Sequence, residues 1–213
     1  MIVSNADIQN TVFNLAGAEN FSKGYVDYVK GLEYSWTGPV VRVATDEVVT
    51  DIKMLSQIGT LDQRAYYDQM MAGKMPEQMN LFLVSPSNFS PSCAPEGKQL
   101  INFATMVPID VPQNISDELP EAMLATAERY IPNIREHIMW MESFSVKDIE
   151  KVFGEHGVGI GVAQVPGQVG AKRPKIKTEI EGLYIVGGEA GGSGVGTEMC
   201  MNSALEFADN YLD

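Results

Sequence analysis

Residues 182–212, GLYIVGGEAGGSGVGTEMCMNSALEFADNYL, carry the reading of the whole chain. The run opens on Leu183-Tyr184-Ile185-Val186, which predicts a strand buried on both faces. Gly187, Gly188, Gly191, Gly192, Gly194 and Gly196 follow, interrupted by Glu189, Ala190, Ser193 and Val195. Behind them Met201, Leu205, Ala208 and Leu212 recur at i, i+4, i+7 and i+11, which predicts a helix with those four on its apolar face. Strand, glycine turn and helix is the layout of a phosphate or cofactor cradle. Glycines let the backbone approach a ligand, and a helix start offers unsatisfied N–H groups and partial positive charge. The spacing is not a dinucleotide fingerprint, because Gly192-Ser193-Gly194-Val195-Gly196 does not give G-x-G-x-x-G and no further strand ending in an acid precedes Asp213. Taken alone, the glycines fit a tight turn between a strand and a surface helix.

Upstream stand Arg173-Pro174 and Lys177-Thr178-Glu179-Ile180-Glu181-Gly182-Leu183-Tyr184. With the glycine turn they resemble the C-terminal flavin motif of the phytoene desaturase family, shared with carotenoid isomerase-like and related FAD-dependent oxidoreductases. That motif runs R-P, G-L-Y, two apolar residues, G-D, a glycine-rich turn, G-x-G and a small-residue helix. Val3-Ser4-Asn5-Ala6-Asp7 is similar to the family's S-N-A-D segment, and Ala94-Pro95-Glu96-Gly97-Lys98 to its A-P-E-G-K/H turn, so the resemblance runs in order through nearly the whole chain. It implies that Gly187, Gly188, Glu189, Gly194, Val195, Gly196 and Thr197 contact FAD. It also implies that the turn Gly194-Val195-Gly196-Thr197 aims a helix start at the negative charge of reduced flavin. Glu198, in the first helical turn, must then face away from the flavin.

The chain departs from the family in two places. Where the family has Gly-Asp, this sequence has Gly187-Gly188 with Glu189 next. The family's acid holds the ribityl or phosphate part of the flavin; either Glu189 does so from one position along, or the contact is lost. The family's N-terminal G-x-G-x-x-G is absent as well. The implied FAD site is therefore incomplete in this chain and calls for an N-terminal dinucleotide-binding half, as a separate subunit or as a segment missing from a truncated product.

The 213 residues are 45% hydrophobic and 20% charged, enough apolar material for a sizeable core. A net charge of −13 argues against nucleic acid or an anionic membrane surface as partner. The one cationic cluster, Lys172-Arg173-Pro174-Lys175-Ile176-Lys177, reads as a solvated turn. Cys93 and Cys200 give neither a disulfide framework nor metal spacing, so a reduced, cytoplasmic setting is expected, with Cys200 a small core residue. No signal-peptide pattern follows Met1, and no apolar run approaches the roughly 18 residues of a membrane span.

Helices are expected from Asn5 to Gly17, Asn20 to Gly31, Asp62 to Gly73, Asp117 to Tyr130, and Ser145 to Gly154, with a turn of helix after Pro132. Strands are expected at Val40–Val43, Leu81–Val84, Leu100–Val107 and Ile138–Phe144, the middle two antiparallel across the proline-rich loop 85–97. Thr50 to Thr60 reads as loop. Without regular βαβ repetition this is an α+β fold: a mixed, largely antiparallel sheet flanked by helices, plus the C-terminal strand, glycine turn and helix. The expected division is a substrate-binding domain, 1–155, and a return segment with the FAD-contacting tail, 156–213. The glycine-rich stretch Gly154 to Gly170 is either a linker or a loop along the ligand, and the resemblance favours the loop.

Acid–base motifs are weak. His137 and His156 lack partners at metal or triad spacing, and the pairs Glu118/Glu121 and Glu179/Glu181 read as solvated faces. Flavin chemistry accounts for this, because the cofactor itself takes or gives the hydride. Met70, Met71, Met75 and Met79 suit either an aliphatic tunnel or core gap-filling. The function expected is the C-terminal part or subunit of an FAD-dependent oxidoreductase acting by hydride transfer on an apolar, isoprenoid- or carotenoid-like substrate. The alternative is a non-enzymatic apolar-ligand-binding or interaction module that kept the fold without the cofactor. A buried tail strand further implies a bare apolar face, hence a homo- or hetero-oligomer.

Overall fold

A computed structural model describes residues 1–153 and 160–212. Two compact units interleave along the chain: Met1–Trp36 joins the residues from Glu150 onward, and Thr37–Ile149 forms the other. The division at 155/156 would instead group the first residues with the middle of the chain.

The first unit opens with β1 (Ile2–Ser4) and α1 (Ile8–Asn10), which runs on into a π-helical turn at Thr11–Leu15. Asp7, two residues past the expected start at Asn5, caps this helix, its carboxylate accepting from the Asn10 N–H at 2.7 Å. Ile8, Val12 and Leu15 keep helical spacing, and the first two are buried, whereas Leu15 is exposed because the π turn rotates it off the core face. In α2 (Lys23–Lys30), Ser22 caps the start and Gly31 follows the end.

The second unit is built on β2 (Val40–Thr45), β3 (Met54–Gln57), α3 (Gln63–Met71, capped by Asp62), β4 (Leu81–Val84), α4 (Pro86–Phe89), β5 (Gln99–Ala104), α5 (Gln113–Ala127), α6 (Ile134–His137) and β6 (Ile138–Phe144). Its five-stranded sheet, order β3-β4-β5-β2-β6, is antiparallel throughout. Alternation places Val41, Val43, Leu83, Ile101 and Phe103 on one buried face, with Val41 opposite Phe103 and Val43 opposite Ile101. Helix α5 packs against β2, β4 and β5, burying Leu119, Met123 and Ala127. It starts four residues before Asp117, the expected opening. β3 lay in a segment read as loop, because an edge strand of sequence MLSQ carries little apolar signal. Met70 and Met79 are core residues, with the Met79 sulfur accepting from the Tyr66 hydroxyl at 3.7 Å.

Helix α7 (Val146–Phe153) starts at a reciprocal cap, the Ser145 hydroxyl bonded to the Asp148 carboxylate at 2.7 Å. The expected stop at Gly154, together with His156, Gly157, Gly159 and Asp213, lies outside the described residues. Back in the first unit, β7 (Leu183–Ile185) pairs parallel with β1, and α8 (Thr197–Tyr211) packs on it through Tyr184, Phe207 and Tyr211, whose rings lie 4.9–5.9 Å apart. The buried face of α8 is Met199, Ser203 and Phe207, not Met201, Leu205, Ala208 and Leu212. Met201 and Leu205 are largely exposed, as is Cys200, expected in the core. The apolar period was read from the wrong starting residue, because the buried face carries a serine at its centre.

Phe103 is fully buried at the centre of the sheet, so Phe103→Ala should destabilise the second unit by about 3–5 kcal/mol in urea unfolding. A loss below about 1 kcal/mol would place Phe103 outside the core.

Candidate functional site

The strand β7 feeds the chain into residues 187–196, and α8 carries it away. Gly187 has φ +105°, and a Cβ there would stand 2.5 Å from Asn5 Oδ1. Only glycine meets both demands, and two of the three segments that carry the family resemblance thereby touch. The Gly187 N–H donates to Ser203 Oγ (3.0 Å), which donates in turn to the Ala190 carbonyl (2.6 Å). The polar residue on the buried face of α8 thus pins the turn. Further along, the Gly191 N–H donates to the Pro174 carbonyl (2.9 Å), and the Gly192 N–H to Glu206 Oε2 (2.8 Å).

Arg173 lies beneath the turn, 8% exposed. Its Nε donates to the Gly191 carbonyl at 2.8 Å and its Nη2 to the Gly188 carbonyl and the Met199 sulfur. Nη1 has no partner among the described residues. Burial pushes the guanidinium pKa down, and Glu189 opposes that shift. The sequence motif contained Arg173 but assigned it no role. Alternation could not have signalled it, because Arg173 shares the parity of the exposed Lys175 and Lys177 and is buried all the same beside Pro174.

Glu189 is equally buried. Burial, then the charge of Asp7, pushes its carboxyl up to about 8, against a backbone hydrogen bond from Ile8 and the charge of Arg173. Its Oε1 would stand 2.6 Å from a Cβ on Gly161, and Oε2 has no partner among the described residues. Beside it, burial and a hydrogen bond with Asp7 push the Tyr34 hydroxyl up as well. Gly187, Gly188 and Glu189 therefore face inward, among Asn5, Asp7, Gly161 and Arg173.

Gly194, Val195, Gly196 and Thr197 form a second, outward edge. Val195 is exposed. Gly196 has φ 57° and ψ −126°, a conformation open to glycine, and a Cβ on it would meet nothing within 4 Å. The first helical bond, Cys200 N–H to the Gly196 carbonyl, leaves the N–H groups of Thr197, Glu198 and Met199 without intrahelical acceptors. Glu198 does not turn away as expected: its Oε2 would stand 2.5 Å from a Cβ on Gly194, so the carboxylate folds over the turn. Gln164 donates to the Gly194 carbonyl at 3.0 Å.

Three of the other candidates, His137, Glu121 and Glu179, are engaged in polar contacts elsewhere in the fold. His137 sits between Asp46 (3.0 Å) and Glu47 (3.5 Å), Glu121 pairs with Arg135, and Glu179 accepts from the Ser22 N–H and hydroxyl, both at 2.9 Å. No cluster of three metal-ligating side chains occurs among the described residues.

No family model matches the chain. It is 26% identical to 4,4'-diaponeurosporene oxygenase of Staphylococcus haemolyticus, over 98% of this chain and 42% of that protein. To 4,4'-diapolycopene oxygenase of a Methylomonas species it is 26% identical over 76% of this chain and 34% of that protein. The chain thus spans well under half the length of these relatives. Among solved structures, an oxidoreductase from Methanosarcina mazei shares the fold with a TM-score of 0.66 at 20% identity, over 99% of this chain and 43% of that one. A Pyrococcus furiosus protein does so at 0.56 and 15%, over 97% and 39%. The homologues are carotenoid-related oxidoreductases, in agreement with the motifs.

The raised Glu189 pKa has a pH signature. The unfolded chain releases this proton near 4.5 and the folded chain near 8, so folding stability falls as pH rises between those values. Glu189→Gln should flatten that decline. Denaturant midpoints of wild type and variant between pH 5 and 8 test this, and parallel profiles would mean the carboxyl is not held neutral.

Proposed function

We propose that this homologue of carotenoid oxidoreductases is the substrate-binding and C-terminal flavin-contacting part of an FAD-dependent enzyme acting by hydride transfer on an apolar, carotenoid-like substrate. The observation that carries the reading is the open space in front of Gly196 at the start of α8. FAD, when bound, supplies the two-electron donor or acceptor. A planar ring fits at Gly196 because no Cβ intrudes, and the N–H groups of Thr197 to Met199 are available to negative charge on it. Glu189 fits too: held protonated at neutral pH, it adds no charge, and its unpartnered oxygen suits a ligand hydroxyl. Glu198 has to swing off Gly194, a side-chain rotation at an exposed residue.

Two further features support the reading. In the second unit, a cavity of about 330 Å³ is lined by Ile58, Leu81, Phe82, Ala104 and Met106, which suits an apolar ligand. In the first, β1 and β7 form a parallel sheet of only two strands, with Ile2 and Val3 exposed beside a cavity of about 880 Å³. Parallel strands are ordinarily covered on both faces, so an additional strand from a dinucleotide-binding half is the partner we assign to this edge. No helix among the described residues is long and apolar enough to cross a membrane, and the free thiols suit a cytoplasmic setting. One observation favours a second reading, a module that kept the fold without cofactor: the Glu198 carboxylate over Gly194 opposes an anion there.

The chain alone should purify colourless and, co-produced with a G-x-G-x-x-G half, should yield a yellow complex. Gly196→Val should abolish flavin retention in that complex while leaving circular dichroism unchanged, because valine at φ 57° is strained and blocks the open space. Full flavin content in the variant would reduce the glycines to a turn. If Gly196→Val loses its fold, Gly196→Ala takes its place.

A further inference from the structure

The cationic segment Lys172–Lys177 is not a simple solvated turn. From Pro174 to Thr178 burial alternates: Ile176 and Thr178 point inward while Lys175 and Lys177 point outward on one face. A bridge between Lys177 and Tyr184 holds this extended segment against β7. The outward lysines meet Lys172, Arg173 and the tyrosines of α2, Tyr25 and Tyr28, around a cavity of about 570 Å³. Tyr25 stacks on Phe21 at 5.2 Å and lies 6.2 Å from Tyr28, so the aromatic wall is braced from behind. Four cations and one carboxylate, Glu179, line the space in a protein whose net charge is −13. Glu179 is engaged in capping α2 through Ser22. Lys172, Lys175 and Lys177 form no ion pair among the described residues.

The geometry points to this cavity as a binding site for a phosphate-bearing anion, held by Lys172, Lys175 and Lys177 over Arg173 and flanked by Tyr25 and Tyr28. Arg173 supplies the second, independent observation: it is nine-tenths buried, lines the cavity, and keeps Nη1 unpartnered. A buried guanidinium with one nitrogen unsatisfied is costly, and an anion above it offsets that cost while the lysines complete the neutralisation. Three ammonium groups and a guanidinium suit phosphate oxygens, and the tyrosine wall leaves room for an attached organic group. Because Nε and Nη2 of the same Arg173 hold the glycine turn, an anion here would also steady residues 188–191. The site itself does not depend on the flavin reading.

The test is calorimetric titration of the full chain at low ionic strength with pyrophosphate, and separately with adenosine monophosphate. Saturable binding that weakens with salt is expected, and Lys175→Gln/Lys177→Gln should weaken it roughly tenfold or more while leaving circular dichroism unchanged. Tighter binding of the nucleotide, lost in Tyr25→Leu, would assign the natural ligand to the organic phosphates; equal binding would assign it to free phosphates. No saturable binding of either probe at millimolar concentration would overturn the proposal. So would binding that the double variant leaves intact.

Discussion

The parallel pairing of β1 with β7 is the constraint on which the first unit depends. Three residues from near the start of the chain lie in register with three near its end, Ile2 with Leu183 through Ser4 with Ile185. Closing so long a loop adds only about 0.6 kcal/mol per doubling of its length, so the pairing needs a modest return in buried surface. It finds one in the cluster of Ile8, Val12, Val29, Val162, Leu183, Ile185 and Ala190. Everything chemical in this unit follows from the same register. It sets Asn5 over Gly187, Asp7 and Ile8 beside Glu189, and leaves the opposite edge of β1 without a strand among the described residues.

Beneath the glycine turn two ionisable groups share a dry space under different terms. Arg173 keeps Nε and Nη2 on carbonyls of the turn, so much of its charge is solvated by backbone dipoles in place of water. Glu189 has fewer such partners and the neighbouring Asp7 carboxylate, and takes up a proton instead. The neighbourhood of the turn therefore tends to positive charge: a buried guanidinium, the α8 start, and an acid that stays neutral near pH 7. The exception is Glu198, the exposed carboxylate over Gly194, and its position decides whether the outward edge presents donors or an acid.

Much of the architecture was legible in the sequence, and the misses have physical causes. Strands such as Val40–Val43 and Leu81–Val84 announced themselves through β-branched and aliphatic runs, because both lie in the interior of the sheet. β1 and β3 did not. One is three residues long and the other a half-polar edge strand, so neither produces a pattern that outlasts noise. The helical turn at Thr11–Leu15 shows a different failure. Its spacing is helical, but a π turn advances each residue less than the assumed period, which moved Leu15 into solvent.

For the site, composition revealed the turn but not its wiring. Glycines signal where backbone geometry is unusual, so residues 187–196 stood out at once. What sorts them into an inward and an outward set is side chains from elsewhere in the chain: Asn5, Asp7, Gln164, Arg173 and Ser203. Ser203 is instructive because it plays two parts. As a polar residue it disguised the buried face of α8, and as a buried hydroxyl it bonds both arms of the turn, at Gly187 and Ala190. A serine midway between Met199 and Phe207 at helical spacing is thus better read as a buried hydroxyl with a partner to find than as a break in an apolar stripe. The same question applies to Arg173, a cation buried just ahead of an alternating segment: what accepts its hydrogen bonds is the glycine turn itself.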